Sequence, residues 1–167
     1  DTTSITIKGY VKDADGHGIK GVVVNNGTNF TTTDKNGAWT LPTDTLTSKF
    51  ISISTPAGYV LPAVNGIARG FYKDVRTAMK SAQNTFVLNK RTKPVTRFHY
   101  IAISDPQLRT ISDQKRWKTE TVKDIMHSAD SLRRTGEVIS VTLGDLVFDN
   151  MPFLKSFEAS LRSNKLT

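Results

Sequence analysis

Cysteine is absent from the 167-residue sequence, which excludes disulfide bonds, thiolate metal sites and cysteine nucleophiles and leaves the redox compartment open. Long apolar runs are absent too. None reaches the roughly 18 residues that a membrane-spanning helix needs, so we expect no membrane span. With 37% hydrophobic and 23% charged residues, the remaining composition is that of a folded protein rather than a disordered one.

Acidic residues are missing from one stretch of a chain whose formal net charge is +8. None lies between Asp74 and Asp105, while basic residues accumulate there: Arg76, Lys80, Lys90, Arg91, Lys93 and Arg97. A basic strip of this kind suits an anionic or nucleic-acid partner. Because no aromatic stacking pattern or known binding motif accompanies it, we interpret the strip as a solvated connector and expect no nucleic-acid partner.

Short β-rich segments separated by turn residues fill the first part of the sequence. Residues 5–11 alternate with period two, as a half-buried strand does. Asn36 and Gly37, between two such segments, signal a hairpin. The predicted strands are 5–11, 21–24, 30–33, 38–41, 50–54 and 84–88. Short strands with Gly and Asn turns predict an antiparallel β-sandwich, which we place at residues 1–93.

Oxygen-bearing side chains cluster in the turns of this region. Asp13, Asp15, Asp34 and Asn36 offer the ligand type that Ca²⁺ prefers. Aspartate, asparagine and glycine are also ordinary turn residues, and the bidentate Glu that closes a helix–loop–helix calcium site is missing. We therefore interpret these residues as structural turns, with His17 solvated at a turn tip.

One family resemblance lies in the sequence GYVKDADGHGIKGVVVNNGTNFTTTDKNGAWTL, from Gly9 to Leu41. It resembles the carboxypeptidase-regulatory-like, transthyretin-like sandwich family. The shared pattern is a strand, then D-x-x-G, G-V-x-V and T-x-x-x-G-x-aromatic. The resemblance implies a β-sandwich that serves as a spacer or interaction module.

The pattern changes in the last part of the chain, where two apolar strands alternate with two helices. The predicted elements are strand 98–104, a helix capped by Ser112 and Asp113 and ending near Arg134, strand 138–143, and a helix beginning at Pro152. Strand–helix–strand units are crossovers that make the two strands parallel. We therefore predict a partial α/β segment of order βαβα at residues 94–167, and a mixed fold for the whole chain.

Each of the two apolar strands is followed by an aspartate. Asp105 and Asp145 are the first charged residues past the strand ends, and Gly144 allows a sharp turn before the second. Because parallel strands bring their carboxyl ends to one sheet edge, both carboxylates are expected to converge there. Converging carboxylates repel unless a cation lies between them, but aspartate also caps helices and turns. The residues alone leave a metal site and a capping role open.

Two short motifs, SDPQ at 104–107 and LGDLVFDN at 143–150, carry a second resemblance. They are similar to the first two motifs of the calcineurin-like metallophosphoesterase family, Asp-x-His and Gly-Asp-x-x-Asp. A sandwich placed before them resembles a bacterial arrangement of that family. The resemblance implies a two-metal enzyme that hydrolyses phosphate esters, in which Asp105 and Gln107 would bind the first metal and Asp145 would bridge both.

Three departures from the family pattern change this expectation. Gln107 stands where the family has histidine, and its amide oxygen favours Mn or Mg, with Fe or Zn as alternatives. Asp149 lies four residues after Asp145 instead of three, so we assign it to the turn or to the surroundings of the site. The Gly-Asn-His motif and the later histidines are absent. We therefore expect the N-terminal portion of a phosphoesterase, truncated and inactive by itself.

The sequence also supports expectations about oligomeric state, location and an alternative function. Apolar strands with open edges invite pairing with another chain, so we expect a homo-oligomer formed through the C-terminal segment. Family habit implies a periplasmic or secreted protein. The alternative to a phosphoesterase is a non-catalytic interaction or glycan-binding sandwich followed by an assembly segment.

Overall fold

The structure is a computed structural model that describes residues 4–163. The chain divides into two compact units. The first contains the residues up to Val64 together with Ala68–Pro94, and the second contains Asn65–Ile67 and the residues from Val95 onward. No helix in the described range is both long and apolar enough to span a membrane. Strands and helices are both present, which confirms the predicted mixed fold.

Short strands dominate the chain before residue 94. The elements are β1 (Ser4–Asp13), β2 (Val23–Asn25), β3 (Phe30–Thr32), β4 (Ala38–Asp44), β5 (Phe50–Ile53), β6 (Ala63–Val64), β7 (Ile67–Ala68), β8 (Tyr72–Asp74), the helix α1 (Val75–Ala78) and β9 (Asn84–Leu88). All six predicted strands form. The elements β6, β7, β8 and α1 were not predicted. They are two to four residues long and, unlike the three-residue strands β2 and β3, do not lie within a longer β-rich run.

Two sheets of the first unit share one apolar core. Their strand orders are β4–β1–β9 and β3–β2–β5–β8. Along β1, Ile7 and Val11 are buried while Thr6 and Lys8 are exposed, as expected of a strand with one face on the core. The core contains Ile7, Val11, Ile19, Val22, Val24, Trp39, Leu41, Ile51, Ile53, Val75, Ala78, Phe86 and Leu88. Side chains from both sheets meet in this cluster, which is the arrangement of a β-sandwich.

One strand pair of the sandwich is parallel. β1 pairs with β4 in the antiparallel sense and with β9 in the parallel sense, with Gly9 opposite Asn84. A parallel pair needs a long crossover connection, and here the chain builds the second sheet between β1 and β9. The sandwich is therefore antiparallel except at this pair.

Gly9 allows β1 and β9 to approach closely. A Cβ at this position would lie 1.8 Å from the Asn84 carbonyl oxygen and 2.7 Å from Cζ2 of Trp39. Asn84 has no room to retreat, since its buried side-chain amide donates hydrogen bonds to the carbonyl oxygens of Lys8 and Ala78 at 3.1 and 3.0 Å. Trp39 is buried as well. The parallel pair is therefore compatible only with glycine here.

The second unit carries a two-stranded parallel sheet and helices. Its elements are β10 (Phe98–Ser104), α2 (Ile111–Arg116), a π-helical segment (Trp117–Thr121), α3 (Val122–Arg133), β11 (Glu137–Leu143) and α4 (Pro152–Ser163). The register runs from Phe98 opposite Glu137 to Ser104 opposite Leu143. Because the last residues of the two strands are paired, both strands end at the same edge of the sheet.

The start of α2 differs from the sequence prediction. Thr110 is the N-cap residue, so the prediction of Ser112 and Asp113 as caps is wrong. The Asp113 N–H donates to the Thr110 hydroxyl oxygen at 3.1 Å, and the Thr110 N–H donates to the Asp113 carboxylate at 2.8 Å. This reciprocal capping box satisfies two backbone donors. Asp113 belongs to the cap as its third helical residue rather than as the N-cap.

The helices cover one face of the β10–β11 sheet. Ile101, Ile103 and Val138 pack into a second core with side chains of the helices, among them Trp117, Val122, Ile125, Met126, Ala129, Leu132, Phe153 and Phe157. Alternate residues of β10 point to the opposite face. On that side Phe98 is 62% exposed and Tyr100 is 58% exposed, and Leu143 at the end of β11 is 49% exposed. Within residues 4–163, this sheet has no third strand.

We expect the Gly9→Ala substitution to lower the free energy of unfolding by about 1–3 kcal/mol, because overpacking against buried backbone has a cost of this size. The matched control is Gly58→Ala, where no atom lies within 4 Å of the added carbon and the change should stay within about 0.5 kcal/mol. Urea unfolding measures both variants. Equal stability of Gly9→Ala and the parent would contradict the close approach of β1 and β9.

Candidate metal centre at the ends of β10 and β11

The two chain segments continue side by side past the ends of β10 and β11. The Asp105 N–H donates to the Leu143 carbonyl oxygen at 3.0 Å. The Gln107 N–H donates to the Asp145 carbonyl oxygen at 2.9 Å. These backbone hydrogen bonds bring together Asp105, Gln107 and Asp145, the three residues that the sequence predicts as metal ligands.

Asp105 and Gln107 both have left-handed backbone conformations, with φ of 45° and 44°. Such a conformation costs about 1–2 kcal/mol for a residue that carries a side chain. It persists here because backbone hydrogen bonds hold both residues, Asp105 to the last residue of β11 and Gln107 to the segment that follows β11. Backbone strain of this kind concentrates at functional sites, and these two residues are the ones predicted to share one metal.

The Asp105 carboxylate is held by two hydrogen-bond donors. The Ser104 hydroxyl donates to Oδ2, and the Asp145 N–H donates to Oδ1 at 3.1 Å. The hydrogen bond from Ser104, followed by that from Asp145, keeps the pKa of Asp105 below its ordinary value. The carboxylate is therefore ionised at neutral pH. Since a carboxylate oxygen has two lone pairs, each one still has a site for a cation.

Gly144 makes room for this carboxylate. A Cβ at position 144 would lie 2.1 Å from Asp105 Oδ1 and 2.6 Å from Asp105 Cγ. The Gly144 backbone also has a φ of 69°, in the left-handed region that favours glycine. Glycine is therefore required before Asp145 for two reasons. The predicted turn needs a left-handed backbone conformation, and the Asp105 carboxylate lies too close to leave room for a side chain.

Asp145 and Gln107 present exposed side chains at the same corner. Within residues 4–163, neither side chain has a hydrogen-bond partner. Together with Asp105 they form a donor set made only of oxygen atoms, which suits Mg²⁺ or Mn²⁺. The residues therefore fit a divalent cation. Asp149 is exposed in the loop that leads to α4, and its role stays a prediction.

A cavity of about 490 Å³ lies beside these residues. Its wall includes Gln107, Arg109, Asp113, Arg116, Trp117 and Thr121. Neither this cavity nor its two arginines follow from the sequence motifs. Arg109 could have been noticed from its position two residues after Gln107, whereas Arg116, Trp117 and Thr121 reach the wall only through the packing of the helices.

A second group of possible metal ligands occurs in the first unit. Asp13, Asp15 and His17 have ligand atoms within 4.8 Å of one another, and no other such triad is found in the described part of the chain. The Asp13 carboxylate accepts the N–H groups of Asp15 and His17 at 3.0 and 2.8 Å. It therefore closes a turn, as the sequence analysis predicts, and His17 at its tip is exposed.

Comparison with protein families identifies the first unit. A family model described as the N terminal of calcineurin-like phosphoesterase matches residues 5–91, which is more than half of the chain. The match covers the sandwich from the second residue of β1 to beyond β9, whereas Asp105, Gln107 and Asp145 lie outside it. No curated protein matches the chain.

We expect Mn²⁺ to raise the melting temperature, because an ion that binds only the folded chain adds about 1 kcal/mol of stability when it exceeds its Kd several-fold. Asp145→Asn should abolish the shift, since it removes one charged donor. Asp149→Asn makes the same chemical change four residues further on and should keep the shift. Differential scanning fluorimetry with and without millimolar Mn²⁺ measures all three chains. An equal shift in Asp145→Asn and the parent would place the ion elsewhere.

Proposed function

Because the chain belongs to the calcineurin-like phosphoesterase family, we propose that Asp105, Gln107 and Asp145 contribute part of a metal centre that hydrolyses phosphate esters. The family generally uses divalent metals and acts on phosphate esters. One observation carries the proposal for these residues. The Asp145 N–H meets the Asp105 carboxylate at 3.1 Å at the end of a parallel strand pair, in a space that only glycine at position 144 leaves open.

Each of the three residues has a proposed role. Asp105 and Gln107 would hold one divalent ion, and Asp145 would be shared between it and a second. Oxygen donors favour Mn or Mg, with Fe and Zn as the alternatives. When bound, a divalent ion lowers the pKa of a water molecule and neutralises charge on the phosphoryl oxygens. The Ser104 hydroxyl and the Asp145 N–H keep Asp105 ionised and in place for this purpose.

Three ligand residues do not complete a two-metal centre. Each ion needs several donors, and the chemistry also needs acid or base assistance at the leaving group. No asparagine precedes a histidine in this sequence, so the Gly-Asn-His motif of the family is not available from it. We propose that the 167-residue chain holds part of the centre and does not turn over substrate by itself.

The corresponding expectation is background activity on p-nitrophenyl phosphate in the presence of Mn²⁺. The physical reason is the incomplete ligand set, which leaves the second ion without most of its donors. Release of p-nitrophenol is followed by absorbance, with Asp145→Ala as the matched blank. Turnover by the parent that disappears in Asp145→Ala would contradict the proposed inactivity and would show that these residues suffice for catalysis.

The exposed face of the β10–β11 sheet underlies a proposal about assembly. A two-stranded sheet is marginal in water, and Phe98, Tyr100 and Leu143 leave apolar surface uncovered. Burying a large apolar side chain contributes about 1.5–3 kcal/mol. We propose that a second copy of the chain covers this face, because strand edges and apolar surface occur together on both copies and are self-complementary in a twofold dimer.

We expect a dimer by multi-angle light scattering at micromolar concentration. Tyr100→Lys should shift the chain towards the monomer, because a lysine resists burial in an apolar interface. Val87→Lys replaces a comparably exposed apolar residue on β9, in the first unit, and should remain dimeric. A compact, well-folded monomer of the parent chain would contradict self-association. So would the finding that this unit folds only when a different protein is bound to it.

A further inference from the structure

We infer that the cavity beside Gln107 accepts the leaving group of the substrate and that Arg109 recognises a second anionic group on it. The inference rests on the proposed function, since it assigns a substrate class to the same site. The preferred substrate is then a phosphate ester whose leaving group itself carries a negative charge.

The position and size of the cavity support this assignment. It begins at Gln107 and Ser104, one a proposed metal ligand and the other the donor to Asp105. Its volume of about 490 Å³ lies within the range of about 300–1,000 Å³ that is usual for small organic ligands. The buried side chains of Leu108 and Trp117 form apolar parts of the wall. A small organic group attached to a phosphate at the metal ligands would enter this space.

Arg109 is positioned to bind an anion there. Its guanidinium carbon lies 4.1 Å from the centre of the Phe148 ring. A guanidinium that stacks on an aromatic face keeps its N–H edge available for a planar anion. Within the described range, Arg109 makes no ion pair with a carboxylate. The ring thus holds the guanidinium close to its face, while no carboxylate in residues 4–163 pairs with the charge.

The one carboxylate in the cavity wall does not neutralise Arg109. The Asp113 carboxylate accepts hydrogen bonds from the N–H and the hydroxyl of Thr110, at 2.8 and 2.9 Å, and from the Arg109 N–H at 3.3 Å. These bonds lower the pKa of Asp113, with the Thr110 hydroxyl as the largest cause. The carboxylate is therefore engaged with the start of α2, and the guanidinium that acts on it electrostatically is that of Arg116 rather than that of Arg109.

A second arginine adds positive charge to the wall. Arg116 pairs with Glu120 at 3.6 Å, but both side chains are largely exposed, and such a pair contributes little. Arg116, the last residue of α2, and Thr121, the last residue of the π-helical segment, both lie in the cavity wall. Between them the buried Trp117 is anchored by its Nε1–H, which donates to the Ser160 hydroxyl at 2.8 Å. Segments of this kind are frequent at functional sites, and this one shapes the cavity.

Two esters that differ only in a second charge test the inference. Phenyl phosphate and 4-carboxyphenyl phosphate are titrated into the 167-residue chain with Mn²⁺ by isothermal titration calorimetry. We expect 4-carboxyphenyl phosphate to bind about tenfold more tightly, which is the effect of one hydrogen bond to a charged group. Arg109→Gln should abolish the preference, because it removes the cation that distinguishes the two esters. Phe148→Leu should reduce the preference part of the way.

Arg97→Gln is the matched control. It removes the same charge immediately before β10, at the end of the strand opposite Asp105, and should keep the full preference. The inference is overturned if the parent binds the two esters equally, or if Arg109→Gln keeps the preference. In either case, stabilisation of the chain by Mn²⁺ would still support the metal site. If neither ester binds although Mn²⁺ stabilises the chain, the inference alone fails. Loss of both responses overturns the proposed function as well.

Discussion

The hydrogen bond from the Asp145 N–H to the Asp105 carboxylate is the contact on which the candidate site depends. It links two segments forty residues apart and fixes an ionised group at the edge where parallel strands end. Three conditions permit it: the pairing of Ser104 with Leu143, the absence of a side chain at Gly144, and the left-handed backbone of Asp105. Removing any one of them would move the carboxylate away from the Asp145 amide.

The two units of the chain bury their apolar side chains in different ways. The sandwich encloses its core between two sheets, and the close contact at Gly9 shows that β1 and β9 are tightly packed. In the second unit the helices cover one face of a two-stranded sheet and leave Phe98 and Tyr100 on the other. Its covered face positions the ends of β10 and β11, whereas its other face leaves apolar side chains exposed.

Local sequence patterns predicted individual elements well and their partners less well. Strand 98–104 appears with the predicted bounds because its apolar run is long and its end is marked by Asp105. The parallel pairing of β1 with β9 was not predicted, since alternation shows that a segment is a strand but not which distant strand it joins. The cap of α2 was misplaced by two residues because Thr110, Ser112 and Asp113 all have capping chemistry, and only the hydrogen-bond geometry distinguishes them.

The sequence alone determined the mixed fold, the six main strands of the sandwich and the two aspartates that end successive apolar strands. These features are local, because side-chain periodicity and turn chemistry act over a few neighbouring residues. Only the tertiary structure decided that Gly144 is needed for space beside Asp105, that Arg109 stacks on Phe148, and that a cavity opens next to Gln107. The contacts of Gly144 with Asp105 and of Arg109 with Phe148 join residues far apart in the chain and depend on strand register. The cavity lies between the end of β10 and the helices that follow it, so it depends on how those helices pack. No short stretch of sequence specifies either feature.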